Sequence, residues 1–510
     1  MKLATFSGQI PVTKEHPEPG IQYAIDSIAR GLLYAMLFLL LVFGRPFAHF
    51  HFQIFHRSVF VTEIALAALG ALWCLRFSYE KPFRTPLRGP LLMWTIFLAW
   101  SCVAYARGLY TEPLFATRKF AQIYYALFIF PVFCWNHDMK YVQQIIRIMF
   151  IAGIVVTVIR FFGLLQVHAF AALENPSVAM DMAIEFSLCY EMYLFVKGKY
   201  LWLNTPLIFF QLYLIVAGNV RTSWISTLLG SMFLLTLLMK NVERGRSFLL
   251  IILIPITFAT LVLLHAWSLT PAYALSYAGT RPTAIIPEKP PSLAPVKNNP
   301  SIPVPKTTVP PAKPSLPNPH DAAIKSGRST QLLFNVRGIL QSFIPKKDPS
   351  YYKQGNANWR RRIWMEMFRE VMQNHPWIGM GFGIPFLPHI WMSEHGTFTD
   401  QYPLPNVDPH NSHLSILYRT GIIGFILYFS FLISLFQAGL LTISNVSRDL
   451  NVRSQLIVCL SYVFLVLVHA SFAVVLEGPY MGVPFWVTVG LVLTLIDHNP
   501  ATIEQPKRVQ

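Results

Sequence analysis

Ser247–Trp267 reads SFLLIILIPITFATLVLLHAW, a run without a single Asp, Glu, Lys or Arg. A helix rises 1.5 Å per residue, so about 20 apolar residues cross a hydrocarbon core about 30 Å thick. In lipid the backbone must satisfy its own hydrogen bonds, which makes such a run a helix. Comparable runs recur at Gly31–Phe43 with its flanks, Ser58–Phe77, Leu91–Tyr105, Val142–Leu165, Ser412–Leu440, Ser454–Val475 and Tyr480–Ile496. The sequence lacks the alternating segments, roughly 10 residues long, of a membrane β-barrel. The expected fold is an all-α polytopic membrane protein with about 12 transmembrane helices and one large extracytoplasmic loop containing helices.

Composition agrees. Hydrophobic residues make up 54% of the chain and charged residues 13%, with a mean hydropathy of +0.45. Soluble domains carry about 25% charged residues. The formal net charge is +17, which in a soluble protein would raise nucleic acid as a partner. Here basic residues instead mark cytoplasmic loops, so the expected surroundings are membrane lipids and no nucleic acid.

The chain divides into residues 1–29, a cytoplasmic tail; 30–268, helices one to nine; 269–411, the loop; 412–497, helices ten to twelve; and 498–510, a second cytoplasmic tail. The first 29 residues are polar, with Pro11, Pro17 and Pro19, and lack the pattern of a cleaved signal peptide. The first span is therefore expected to stay as an anchor. Cys74, Cys102, Cys134, Cys189 and Cys459 all lie in or beside apolar runs, as small core residues do. Their spacing fits neither a disulfide framework nor a zinc site.

With both termini in the cytoplasm, the inner segments hold roughly 17 basic residues, including Arg76, Lys81, Lys197, Lys240, Arg244 and Arg448. The short outer loops hold about 6, among them Arg118, Lys119 and Arg221. The asymmetry puts the long loop outside, in the periplasm of a Gram-negative cell. Arg118, Lys119 and Arg221 run against the trend, so something must offset their cost: lipid headgroups or an anionic substrate.

The loop has two halves. Residues 282–319 hold 13 of the 38 prolines, a composition that forms extended chain rather than a packed core. Residues 359–411 are expected to be structured. Ile363, Trp364, Met367, Phe368, Val371 and Met372 fall on one stripe of an amphipathic helix. Arg360 sits over that stripe, and Arg362 can pair with Glu366 one turn along. The helix should stop at His375-Pro376, because proline disfavours helix in the residue before it. Gly379-Met-Gly-Phe-Gly383 then permits a tight turn rather than a dinucleotide fingerprint, since no strand precedes it. Its amides are a lesser candidate for facing an anion. The loop closes on Asp408-Pro-His-Asn-Ser-His413. His410, at the mouth of a span, is a candidate base, with His413 as its competitor and His320, His375, His389 and His395 behind. Asp181 and Glu185, four apart, are costly charges in or near a span; such carboxylates are often functional, and here the plain alternative is the outer end of that helix.

Four motifs in order resemble the O-antigen ligase and polymerase family of bacterial membrane proteins. They are Gly218-Asn-Val-Arg-Thr-Ser-Trp224, Arg360 with Trp364, His375-Pro-Trp-Ile-Gly-Met-Gly381, and Pro409-His-Asn411 followed by Gly421-Ile-Ile-Gly424. The similarity covers roughly residues 200–435. The Pro-rich insertion and the Arg360–Arg362 triplet depart from the pattern, and the triplet leaves the register of the functional arginine open by one residue.

The resemblance implies a metal-independent glycosyltransferase in the bacterial inner membrane. It would move a saccharide from a polyprenyl-diphosphate carrier to an acceptor hydroxyl, with no cofactor and no metal. The acceptor would be a lipid A-core sugar in a ligase, a second lipid-linked glycan in a polymerase, or a protein hydroxyl in an oligosaccharyltransferase. Arg221, Arg360, Arg361 and Arg118 would then face the diphosphate, since guanidinium stays charged and matches phosphate in a bidentate way. His410 would take the acceptor proton, and Asn411 would contact substrate. A transporter is the reading from a different class; it would depend on Asp181, Glu185 or Glu63 and predicts inverted repeats, of which no convincing case is visible.

Overall fold

The computed structural model describes residues 19–48, 50–54, 57–77, 89–135, 139–164, 178–217, 220–279, 356–384, 386, 409–445 and 449–497. The Pro-rich segment 282–319, the C-terminal tail 498–510, and His320, His389 and His395 lie outside them.

Helix α1 spans Pro19–Phe43, so it begins inside the segment expected to be tail. An antiparallel hairpin follows, β1 His51–Ile54 and β2 Arg57–Phe60, with Phe52 opposite Val59. The sequence reading did not anticipate it. Next come α2 Val61–Phe77, α3 Pro90–Leu109 and the short α4 Pro113–Lys119. Three short pieces run on: Ala121–Tyr124, a 3₁₀ turn Tyr125–Phe128, and Ile129–Trp135. The bundle continues with α5 Met139–Leu164, α6 Val178–Val196, α7 Leu201–Ala217, α8 Arg221–Asn241 and α9 Arg244–Gly279. Helix α9 runs past residue 269, where the loop was expected to start. The loop helix is α10 Asn356–Asn374, and the chain closes with α11 Ser412–Ser444, α12 Leu450–Ala470 and α13 Pro479–Asp497.

Among the described residues, eight helices are long and apolar enough to cross a bilayer: Gln22–Phe43, Pro90–Leu109, Met139–Phe162, Thr222–Asn241, Arg244–Leu264, Ser412–Ser444, Leu450–Ala470 and Pro479–Asp497. The chain is a multi-pass α-helical membrane protein. Residues up to Ala259 and from Trp359 pack as one unit, while Thr260–Asn358 form a second whose described parts are the end of α9 and the first residues of α10.

In the first unit α12 and α13 are buried nearly all round, and the flanking helices expose apolar residues on one face, as lipid-facing helices do. Helices α8 and α12 pack closely at Gly230, where a Cβ would lie 2.7 Å from Cβ of Leu465.

Helix α11 is two helices joined at Gly421, whose φ of 68° and ψ of −172° are not helical. The break frees backbone groups that the bilayer could not satisfy, and the loop supplies their partners. Met380 N donates to Tyr418 O (2.7 Å) and Gly381 N to Arg419 O (3.1 Å). In return Ile422 N donates to Pro376 O (2.8 Å) and Ile423 N to Trp377 O (3.3 Å). The His-Pro-Trp-Ile-Gly-Met-Gly stretch is thus docked into a helix break.

Candidate active site at the loop end of the bundle

The C-terminal ends of α5 and α12 and the N-terminal ends of α6, α8 and α11 meet at one end of the bundle. This is also the end that carries α10. Arg160 of α5 pairs with Asp181 of α6, Asp181 accepts from Ser223 Oγ of α8 (2.7 Å), and Thr222 of α8 meets His469 of α12 (Oγ1–Nε2 3.0 Å). His413 of α11 meets Leu467 O of α12 (Nε2–O 3.0 Å).

Helix α10 stops at Asn374, directly before His375-Pro376, as expected. Its inner stripe is Ile363, Met367 and Val371, packed on Met380, Phe386 and Tyr418, with Trp364 and Met372 alongside. Phe368 departs from the expected stripe and is 45% exposed. The helix is registered by two hydrogen bonds. Arg360 Nη1 donates to Phe472 O (2.8 Å), and Trp364 Nε1 donates to Pro409 O (2.6 Å). Arg360 is therefore turned toward the bundle, while Arg361 is exposed.

The glycine turn behaves as a turn. Gly379 and Gly381 have φ of 72° and 85°, and the amides of residues 380 and 381 are spent on α11. They are not directed at an anion. Arg107 Nη1 donates to Gly379 O (2.9 Å), and Arg419 Nη1 donates to Phe382 O (3.1 Å), so two buried-side guanidiniums hold the turn from either side. Burial, and then the charge of Arg107, lower the His375 pKa from the ordinary imidazole value.

The histidines separate by their partners. His413 uses both ring nitrogens: Nε2 faces the Leu467 carbonyl and Nδ1 the Tyr428 hydroxyl (3.2 Å). A carbonyl can only accept, so Nε2 carries the proton and Nδ1 accepts from Tyr428. This neutral tautomer is a packing element. His410 stands just outside the helix, half-buried, with φ of 50°. A non-glycine residue in that region costs about 1–3 kcal/mol and persists only where neighbours fix it. The neighbours here are the Pro409 carbonyl held by Trp364, and Asn411, whose Oδ1 accepts from Leu414 N (3.0 Å) and caps α11. The cap engages the side-chain oxygen of Asn411, which the sequence reading assigned to substrate.

The turn between α12 and α13 ties these parts together, and the sequence reading missed it. Ser412 Oγ accepts from Val475 N (2.9 Å) and Leu476 N (3.2 Å) and donates to Ala473 O (3.3 Å). Phe472 O holds Arg360, and Glu477 pairs with Lys119 at 3.9 Å. Exposed Arg118 sits beside Lys119 in the last turn of α4. Arg221 opens α8, whose N-cap residue, Val220, offers no side-chain cap to the first-turn amides. That helix end is electropositive through its dipole.

Asp181 and Glu185 are not an outer helix end reaching water: both are fully buried between helices. Glu63 caps its own helix, accepting from Phe60 N (3.0 Å) and from Tyr124 Oη (2.5 Å). Among the described residues no three His, Cys, Asp or Glu side chains cluster as metal ligands would.

Fold and site together define a polytopic helical membrane protein whose arginine- and histidine-bearing motifs gather at one end of its bundle. The family model described as O-antigen ligase matches residues 206–429 of this chain, which hold all four motifs named above. An O-antigen ligase of Pseudomonas aeruginosa is 31% identical over 97 residues, a stretch that is 19% of this chain and 21% of that protein. The match thus spans about a fifth of that relative's length. The resemblance drawn from the motifs is the family these comparisons support.

Proposed function

We propose that this chain is an O-antigen ligase-like glycosyltransferase. It takes a saccharide from a polyprenyl-diphosphate carrier and joins it to a hydroxyl of a lipid A-core acceptor at the periplasmic face of the inner membrane. In this reading the chain crosses the membrane about twelve times, and the loop end of the bundle faces outward. The observation that supports this most is the joining of Arg360, of Ser412 directly after the His410-Asn411 motif, and of Lys119 beside Arg118 around one interhelical turn, residues 471–478, with the first turn of α8 bonded to His469 at the end of α12 just before it.

In this reading the anionic leaving group lies at the start of α8, where Arg221 and uncapped amides favour negative charge. Arg360 and Arg118 approach from the loop helix and from α4, and exposed Arg361 is a secondary contact. As the bond between sugar and phosphate breaks, fixed cations stabilise the charge growing on the diphosphate without a metal. His410 accepts the proton of the attacking hydroxyl, a role worth about 10²–10⁴-fold in rate. His413 is instead a packing element, with its ring nitrogens bonded to Leu467 O and Tyr428 Oη.

The test is transfer by the purified full chain in lipid nanodiscs, with a polyprenyl-diphosphate-linked glycan as donor and lipid A-core as acceptor. His410→Ala and Arg221→Ala are each expected to lower the rate by about 10²-fold or more, with the thermal midpoint little changed. Chelator should leave the wild-type rate unaltered. Full activity in either variant removes that residue from the mechanism, and inhibition by chelator that Mg²⁺ reverses removes the metal-free account. Product growing only on lipid-linked acceptor, with none on lipid A-core, would show a polymerase instead.

A further inference from the structure

Behind the first turn of α8 lies a set of buried polar side chains that the proposed chemistry does not use. His469, fully buried near the C-terminal end of α12, puts Nε2 at 3.0 Å from Thr222 Oγ1 and Nδ1 at 3.4 Å from Ser226 Oγ. Ser226 Oγ lies 3.1 Å from Glu185 Oε1, and Thr227 Oγ1 donates to the same oxygen at 2.8 Å. One turn nearer the helix end, Ser223 donates to Asp181, which pairs with Arg160.

Proton counting gives the chain a direction. Glu185 Oε1 and the Ser223 carbonyl, also 3.1 Å from Ser226 Oγ, both take the acceptor part, so the single Ser226 hydroxyl proton is shared between them and its oxygen accepts from His469 Nδ1–H. Nε2 is then the acceptor for the Thr222 hydroxyl. The imidazole is thus a neutral bridge between two hydroxyls one helical turn apart on α8. It can reach them because α8 and α12 approach closely at Gly230.

We infer that His469 is a positioning residue that fixes the first turn of α8, and through it Arg221, by gripping Thr222 directly and tying Ser226 to Glu185. The inference rests on the reading of Arg221 as the diphosphate-facing arginine. Thr222 is the next residue along, so the direction in which α8 presents Arg221 depends on how firmly Thr222 is held. The opposite side of the turn is held by Trp224, whose Nε1 donates to Ile215 O (3.0 Å). Removing His469 would free Thr222 and leave the turn held through Ser223 on Asp181 and Trp224 on Ile215. Neutral buried polar groups inside a bundle are costly unless they are fully bonded, which gives this bridge a reason to be complete.

The experiment compares wild type, His469→Leu, His469→Gln, Thr222→Val and the double variant His469→Leu/Thr222→Val, all full-length in nanodiscs. The first readout is amide hydrogen exchange. His469→Leu should speed exchange in the first two turns of α8 by about tenfold and leave α13 unchanged. The second is steady-state transfer from the polyprenyl-diphosphate-linked glycan. His469→Leu should raise donor KM by about tenfold with kcat within about threefold. Gln, which can donate and accept, should recover most of both. The double variant should be no worse than its more severe parent, because both changes remove one contact. Unaltered exchange in His469→Leu, or effects on KM that multiply in the double variant, would overturn the inference. If His469→Leu does not fold, Thr222→Val and Ser226→Ala probe the same contacts from α8. If wild type transfers nothing, the enzymatic reading fails, and the exchange arm still decides whether His469 holds the turn.

Discussion

Three neighbouring residues, His410, Asn411 and His413, show how far residue type alone carries. All three were candidates from one hexapeptide. The partners that separate them lie far off in the chain: His413 meets Tyr428 and Leu467, and Trp364 holds the carbonyl before His410. No local pattern contains those distances. The cap role of Asn411 was legible, since Asn directly before an apolar run is a favoured N-cap. A substitution decides whether it is also a ligand. Asn411→Ser keeps the capping oxygen, and we expect transfer near the wild-type rate. Asn411→Ala should lower stability by about 1 kcal/mol, read as a drop in thermal midpoint. If Asn411→Ser keeps the midpoint but loses transfer, the amide itself touches substrate.

Helices were the most legible elements. Long uncharged runs fix spans, His375-Pro376 fixes the end of α10, and the stripe Ile363, Met367, Val371 fixes its buried face. The break in α11 was not legible, because Gly421-Ile-Ile-Gly424 sits inside an unbroken apolar run and reads as continuous helix. The hairpin at 51–60 was hidden for a similar reason: two four-residue strands are too short for an alternation signal. The helix break now gives the glycines a physical task. A Cβ on Gly421 would meet Gly379 N and Trp377 O, and one on Gly379 would meet Gly421 N. Both residues also need positive φ. Gly421→Ala and Gly379→Ala should therefore each cost about 1–3 kcal/mol in backbone strain, with the clash added. Gly70→Ala is the control: nothing lies within 4 Å of its Cβ, and alanine in a helix interior is favourable. Equal thermal midpoints for Gly421→Ala and Gly70→Ala would mean that the loop does not dock into the break.

At the scale of the whole molecule, the sequence placed the chemistry on the loop with help from Arg221, and the fold adds a scaffold beneath it. Asp181 and Glu185 were legible as costly carboxylates four apart, and His469 was not singled out at all. Their joint role depends on which helices are neighbours, and apolar periodicity does not specify that. The orientation proposed for this scaffold rests on charge: basic residues collect at Arg76, Lys197, Lys240, Arg244 and Arg453, at the end opposite α10. That makes a sharp test possible in intact cells. Met365 is 56% exposed on α10, and Trp202 is 79% exposed at the start of α7, beside Lys197 and Lys199. A cysteine replacing Met365 should react with a membrane-impermeant maleimide added outside, and one replacing Trp202 should react only after the membrane is permeabilised. The five native cysteines lie within apolar helical runs, so the wild-type chain supplies the blank. Labelling in the reverse pattern would turn the bundle over, put α10 and His410 in the cytoplasm, and end the case for transfer to an acceptor on the outer face.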